Sequence, residues 1–460
     1  MAYRANSWRL GSRDVSLSVA AAMLSLVLGC GSGSNSTSSL TSIQINSSSA
    51  ALRLGSSQQY TATGKFKDGT SRDVTTGVTW SSSQPDAVFI NNQNGRNGFA
   101  TGIGAGTSTI TASEGTVQAT ATLMVSNPMP RFAYVSPAKH GPEVGIYTEG
   151  ADGSLTQVQG SPIQLAGAND MTIDSEGKFL FTTEQMSGFL QPQVSVNSYA
   201  VDHTTGTFSL PPVSTLCCNF GDFNLLLSPS EQVLHVNNSQ AISTISVDPA
   251  ATLALVGSTP VLVSSAPANT VAIVMEPAGK FIYAAIVVPP SVGVFTVQSS
   301  NGMLTEQGTV PIAGPAPDVL VIDPTGQFLY VMHPNNDLQS FGLNGTTGGL
   351  TGIGTTQTRG YPSAGAAHPS GKWIYVGMCC DGNPRVSGFS IDPATGNLME
   401  VTNVATPGGG EPVIVVAEPT GRFLYVEENF GTDVFSIDPE SGALTLVTQQ
   451  ALLTPSYFTF

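Results

Sequence analysis

The chain has 460 residues, enough for more than one domain, and its 50 Gly and 30 Pro, with no long stretch of helical period, point to an all-β protein rich in turns. Its formal charge is −15 with only 10% of residues charged. That excludes the Lys- and Arg-rich surface that neutralises phosphates, so nucleic acid is not an expected partner.

The first element in chain order is a targeting segment. Arg4, Arg9 and Arg13 precede an apolar run from Val15 to Leu28, shorter than the ~20 residues a membrane span needs. The run ends Val27-Leu28-Gly29-Cys30, which resembles the bacterial lipobox, with Val where Leu is commoner. The resemblance implies that Cys30 is acylated and becomes the first residue of the mature chain. Residues 1–29 are then a lipoprotein signal peptide. The expected location is the bacterial cell envelope, periplasmic or outer surface, with the exported chain anchored in the membrane through Cys30. Cleavage leaves 13 basic and 30 acidic residues, or −17. Gly31 to Ser39 contains only Gly, Ser, Asn and Thr, so residues 30–39 read as a flexible tether.

Residues 40–126 alternate apolar and polar positions in short runs, as half-buried strands do. Three phrases stand out: the turn Lys67-Asp68-Gly69-Thr70, the strand Val78-Thr79-Trp80-Ser81-Ser82-Ser83, and Gly106-Thr107-Ser108-Thr109-Ile110-Thr111-Ala112. Together they resemble the bacterial immunoglobulin-like group 2 domain. The resemblance implies a small β-sandwich with Trp80 in its core, used as a spacer or adhesive module. With no Cys in this stretch, packing alone must hold it, and about 85 residues suffice. Pro128 and Pro130 stiffen a linker over 127–130.

From residue 131 onward one phrase repeats: a small-residue turn, a basic or polar residue, then an aromatic-aliphatic-aromatic strand. It reads Gly279-Lys280-Phe281-Ile282-Tyr283, Gly326-Gln327-Phe328-Leu329-Tyr330, Gly371-Lys372-Trp373-Ile374-Tyr375 and Gly421-Arg422-Phe423-Leu424-Tyr425, with further copies at Phe179 and, worn, at Val233. Counted from Phe132, the first aromatic position recurs after 47, 54, 48, 47, 45 and 50 residues. A period near 50 built of short strands predicts a β-propeller with one four-stranded sheet per blade. The repeated aromatics are expected to pack one blade on the next. The last residues, Thr454 to Phe460, begin another inner strand, and the copy at Phe132 lacks one. The carboxyl terminus should therefore complete blade 1, giving seven blades over 131–460 and no open edge.

The phrases Pro-x-Gly-Lys/Arg-Phe-Leu-Tyr-Val and Val-x-x-Phe-Ser-Ile-Asp-Pro-x-Thr/Ser-Gly-x-Leu resemble the seven-bladed lactonase family, which includes 6-phosphogluconolactonase and muconate cyclases. The family's lactone-cleaving members are expected to set His, Arg and Glu around the axis on the face built from loops after the aromatic strands. Here the inner strands start with Asn269-Thr270, Asp318-Val319, Ser363-Ala364, Val413-Ile414 and Ser456-Tyr457, without His or Arg. Glu427-Glu428-Asn429 alone echoes the family's acidic step.

Opening a lactone with water needs a general base and a group for the developing oxyanion. His203 and His368 fall in the turns of the opposite face, and His235 replaces a strand Tyr. His140 and His333, expected in loops of the candidate face, are with Glu427 and Glu428 the catalytic candidates, though the two histidines belong to blades 1 and 5. Two adjacent pairs, Cys217-Cys218 and Cys379-Cys380, are expected on the same face, in blades 3 and 6. That separation is awkward for bridges between pairs, and each is either an adjacent disulfide or two thiols. With Asp318, Asp381 and Asn429 they are the candidate binding residues. No metal-ligand spacing, phosphate loop or nucleophile elbow is present, so no metal or other cofactor is expected. Two functions stay open: a lipid-anchored protein whose sandwich presents a propeller that binds a protein or glycan, and a lactonase-type hydrolase of an extracytoplasmic lactone.

Overall fold

The computed structural model describes residues 38–460 except 48, 55, 93–95, 127–131, 138–141, 166, 187–192, 218–223, 264–265, 381, 408–409, 429–430 and 453–454. The expected leader, with Cys30, lies outside the described residues.

The amino-terminal module is all strand. Leu40–Asn46, Thr61–Phe66 and Ser71–Asp73 make one sheet, and Ala51–Arg53, Val117–Ser126, Gly106–Glu114 and Thr79–Ser82 a second. Ser57–Gln59, Phe99–Gly102 and Val88–Ile90 make a small third. Alternation puts Ile110, Ala112, Leu123 and Val125 into the space between sheets, where they meet Tyr60, Val88 and Trp80. Trp80 is buried, and its indole N–H donates to Thr75 O at 3.0 Å. An indole is tolerated in a core when its one donor is used.

The rest of the described chain is a seven-bladed propeller. Blades 2 to 7 follow in order over 168–216, 224–260, 270–311, 319–357, 361–405 and 412–450, each an antiparallel sheet with strands in sequence order. Blade 1 takes Phe132–Pro137, Glu143–Glu149 and Leu155–Gln157, with Pro455–Thr459 as its first strand, paired antiparallel to Phe132–Pro137. The carboxyl terminus closes the ring. First strands of successive blades touch one another around the axis.

The repeated phrase is explained by what each aromatic touches. The strand tyrosine donates its hydroxyl to a glycine carbonyl in the next blade's hairpin turn: Tyr134 to Gly206, Tyr283 to Gly348, Tyr330 to Gly396, Tyr375 to Gly442, and Tyr425 across the closure to Gly153. In these five blades the first aromatic of the phrase packs against the same glycine. A Cβ on Gly348 would sit 2.4 Å from Phe281, and one on Gly442 2.5 Å from Trp373. These glycines also have φ near +71° and +73°, which side chains disfavour. In blade 3 His235 stands in the tyrosine's place, fully buried, and burial pushes its pKa down to about 4.

Candidate functional site

One face of the ring, the loop face, collects the starts of first strands and the ends of second strands. Here side chains tie blade to blade. Ser136 Oγ donates to Ala168 O, Leu225 N donates to Asp170 Oδ2 at 2.7 Å, Ile273 N donates to Asn224 Oδ1, and Ser363 Oγ donates to Pro412 O at 2.6 Å. Asp170 is half-buried among these, and desolvation lifts its pKa to about 7 against the two backbone donors that lower it. These atoms are used in holding the ring.

A first cluster sits where blades 5 and 6 meet. His333 is the last residue of Phe328–His333; it is a fully buried strand end, in place of the loop residue the repeat suggests. The second strand of this blade simply runs one pair further, to Asp337. Its Nδ1 lies 3.0 Å from Pro315 O. A carbonyl only accepts, so Nδ1 carries the proton and Nε2 keeps its lone pair. Burial lowers the histidine's pKa, so the ring is neutral near pH 7, and Nε2 has no hydrogen-bond partner among the described residues. Asp318 precedes the first strand of the same blade and accepts the Tyr361 hydroxyl from blade 6. Burial, with the adjacent carboxylate, pushes Tyr361 up to about 12. Tyr361 is half-buried and pairs in register with Cys379.

Cys379 and Cys380 are joined as an adjacent disulfide, Cys379 buried and Cys380 exposed with φ near 70°. A Glu411 carboxylate oxygen lies within 4.8 Å of both sulfurs. Because the sulfurs are bonded to each other, the trio is not a thiolate ligand set. Cys217 is also disulfide-bonded; it follows Ser214–Leu216, the last strand of blade 2, in the segment leading to blade 3.

A second cluster ends Phe423–Glu428 in blade 7. Successive strand side chains point to opposite faces, so Glu427 joins Tyr425 toward blade 1 and Glu428 joins Val426 toward blade 6. Thr432 Oγ1 donates to Glu427 Oε2 at 2.5 Å, and Gly410 N donates to Glu428 Oε2. The Oε1 atoms of both have no partner among the described residues. Burial pushes Glu427 up to about 8, with the Asp433 and Glu428 charges adding to it.

Sequence reasoning missed Glu184, Tyr361 and Glu411. Glu184 is buried in blade 2 and accepts the Thr182 and Tyr199 hydroxyls. Counted from the first aromatic, Glu184, His333 and Glu428 occupy the same sixth position of the repeat. A position-by-position reading of the copies would have found it. His140, Cys218, Asp381 and Asn429 lie outside the described residues. Two arginines of the described loop face are engaged: Arg359 with Glu400 at 2.9 Å, Arg385 with Asn383 O.

Comparison with known proteins completes the site's context. The family description "Lactonase, 7-bladed beta-propeller" matches residues 193–365 and 357–459, and "Bacterial Ig-like domain (group 2)" matches 39–125. Among solved structures, the periplasmic gluconolactonase PpgL of Pseudomonas aeruginosa is 21% identical, with 71% of this chain and 98% of that one covered and a TM-score of 0.61. A 6-phosphogluconolactonase-like propeller from Bacteroides fragilis is 18% identical over 71% of this chain and 97% of that one, TM-score 0.60. At these identities the likeness is one of fold. Ice-binding protein 1 of Shewanella frigidimarina is 36% identical over 107 residues, 23% of this chain, which spans 12% of that protein's length.

Proposed function

The chain belongs to the lactonase family of seven-bladed β-propellers, and we propose that it uses the loop face to bind a neutral, hydroxyl-rich ring, a glycan, at the bacterial cell envelope. The observation that carries this reading is the half-exposed Tyr361, hydrogen-bonded to Asp318 and paired in register with Cys379 of an adjacent disulfide. A tyrosine ring offers an apolar face to a sugar's C–H surface, and a carboxylate accepts its hydroxyls. Arg359 is already paired with a carboxylate and Arg385 with a carbonyl, which disfavours a phosphorylated sugar. Export and a lipid on Cys30 belong to the same reading and rest on the basic, apolar, lipobox-like order of the first 30 residues.

A second reading, lactone hydrolysis, is favoured by the family and by the lone pair on His333 Nε2. In it Nε2 takes a proton from water as the water oxygen bonds to the lactone carbonyl carbon. The ring C–O bond then breaks, and the proton passes to the leaving alkoxide, giving the hydroxy acid. Nε2 is sealed from solvent, so this chemistry requires the packing around His333 to open while the Nδ1 contact to Pro315 O is kept.

Calorimetric titration of the full chain with neutral glycans and sugar lactones, alongside pH-stat hydrolysis of the same lactones, separates the two. Glycan binding lost in Asp318→Asn and Tyr361→Phe, with no hydrolysis, is the expected result. Hydrolysis lost in His333→Gln replaces it with the second reading, and neither binding nor turnover at high protein concentration overturns both.

A further inference from the structure

The sandwich carries one side chain that its own core does not use. Arg96 lies in the turn before Phe99–Gly102 and, among the described residues, is the one Lys or Arg that is buried, 2% exposed. Its Nη1 lies 2.6 Å from Glu276 Oε2, itself fully buried, in the turn after the first strand of blade 4. The pair is close without hydrogen-bond alignment, and the guanidinium has no hydrogen-bond partner among the described residues. This is a charge taken out of water and matched by a single opposite charge of the propeller.

The propeller is shaped for it. A Cβ on Gly326 would fall 2.3 Å from Arg96 Nη1, and one on Gly345 2.5 Å from Arg96 Cγ. Gly345 stands at the second position of the blade 5 hairpin turn, where Pro249, Pro393 and Pro439 stand in blades 3, 6 and 7. His203 and Ser299 stand there in blades 2 and 4, so only some blades use proline, and in blade 5 the glycine leaves room for the Arg96 side chain. Three more contacts spread over other blades: the Arg53 guanidinium donates to Ser175 O, Lys372 Nζ donates to Asp86 at 3.1 Å, and Thr101 Oγ1 meets Pro324 O. All four lie on the turn face, opposite the loop face. Around the axis on that face a cavity of about 650 Å³ is walled by Arg53, Ser56 and Ser57 of the sandwich and by Asp174, Pro277 and Phe460 of the propeller.

We infer that the sandwich is a cap latched onto the propeller's turn face by the Arg96–Glu276 pair. It covers that mouth of the axis, over the cavity that Arg53 and Ser56 help to wall. The module is then part of one rigid body, not a spacer free to swing, and this holds whichever ligand the loop face takes. The turn face offers the latch a ring of acids, Asp174, Glu276, Asp323 and Glu418, each already accepting amides of its own turn. A guanidinium desolvated against one of them specifies a single docking geometry, because any other leaves it unpaired.

The test uses the full chain with Arg96→Ala and, as a variant of unchanged shape, Glu276→Gln. Amide exchange is followed over 172–177, 277–280 and 324–327, with calorimetry in parallel. The expected parent shows one unfolding transition. Both variants exchange faster in those segments by about tenfold or more, while the blade 4 strand Phe281–Ile286 stays protected, and the single transition divides into two. Retained protection of that strand shows that the propeller itself still folds. Unchanged turn exchange in both variants, or two independent transitions in the parent, overturns the latch.

Discussion

The two faces of the propeller follow different rules. On the turn face most blades repeat one solution: a residue before the turn accepts its amide N–H groups, as Asp174, Glu276, Asp323 and Glu418 do, and an aromatic strand anchors on the next blade's glycine. On the loop face the described blades differ, although blades 2 and 7 share a buried glutamate at one repeat position. Blade 2 holds Glu184, blade 5 His333 with Asp318, blade 6 an adjacent disulfide, and blade 7 a pair of buried carboxyls. Repetition marks what every blade needs in order to bury its sheet. Departure from it marks where a blade is free to vary without losing its packing.

The strongest way to break this comparison is to open the ring. Deleting residues 454–460 removes the first strand of blade 1 and the stack of Phe458 and Phe460 on Tyr425. The expected outcome is loss of the cooperative thermal transition of the whole propeller; an unchanged Tm would mean the edge needs no closing. Next in size, Gly348→Ala forces a Cβ into Phe281 at a positive φ and should destabilise by roughly 2 kcal/mol or more, read from denaturant midpoints.

Two titratable groups then sharpen the contrast between faces. The folded chain holds a proton on Glu427 up to about pH 8, which an unfolded chain releases near 4.5. Stability therefore falls as pH rises through that window, and Glu427→Gln should lack this fall, its Tm advantage over the parent growing toward pH 8. His235 is the mirror case. Its folded pKa of about 4 lies below the usual 6.5, so the unfolded chain takes up the proton first and stability falls as pH drops from 6.5 to 4. His235→Tyr restores the repeat's tyrosine toward Gly302. It should remove that acid sensitivity and add about 0.5–1.5 kcal/mol for the hydroxyl bond, measured as a smaller Tm loss between pH 7 and pH 4. The smallest expected effect concerns the loop face. Cys379→Ser with Cys380→Ser should leave Tm nearly unchanged while weakening glycan binding, and non-reducing mass spectrometry of the parent should find no free thiol at Cys379 or Cys380.

Much of the fold was legible before any coordinates. Seven aromatic phrases, the unfinished strand at Thr454 to Phe460 and the alternation around Trp80 name the ring, its closure and the sandwich. The site was legible only in pieces. His333, Asp318 and Cys379 were singled out as separate residues, and the structure assembles them with Tyr361 at one blade junction. Glu184 was hidden because its strand continues Phe-Thr-Thr-Glu-Gln, unlike any family phrase, although it shares a repeat position with His333 and Glu428.

The sequence by itself determined the strands, their period and the residues each sheet must bury, because those depend on neighbours a few positions away and recur with every copy. Only the tertiary structure decided which side chains meet: Tyr425 with Gly153 across the closure, Tyr361 with Asp318, and Arg96 with Glu276. Those pairs are separated by 272, 43 and 180 positions. A local pattern can say that an arginine is odd in a sandwich turn. It cannot say which carboxylate will be waiting, since that depends on how seven sheets close and on the face against which the sandwich comes to rest.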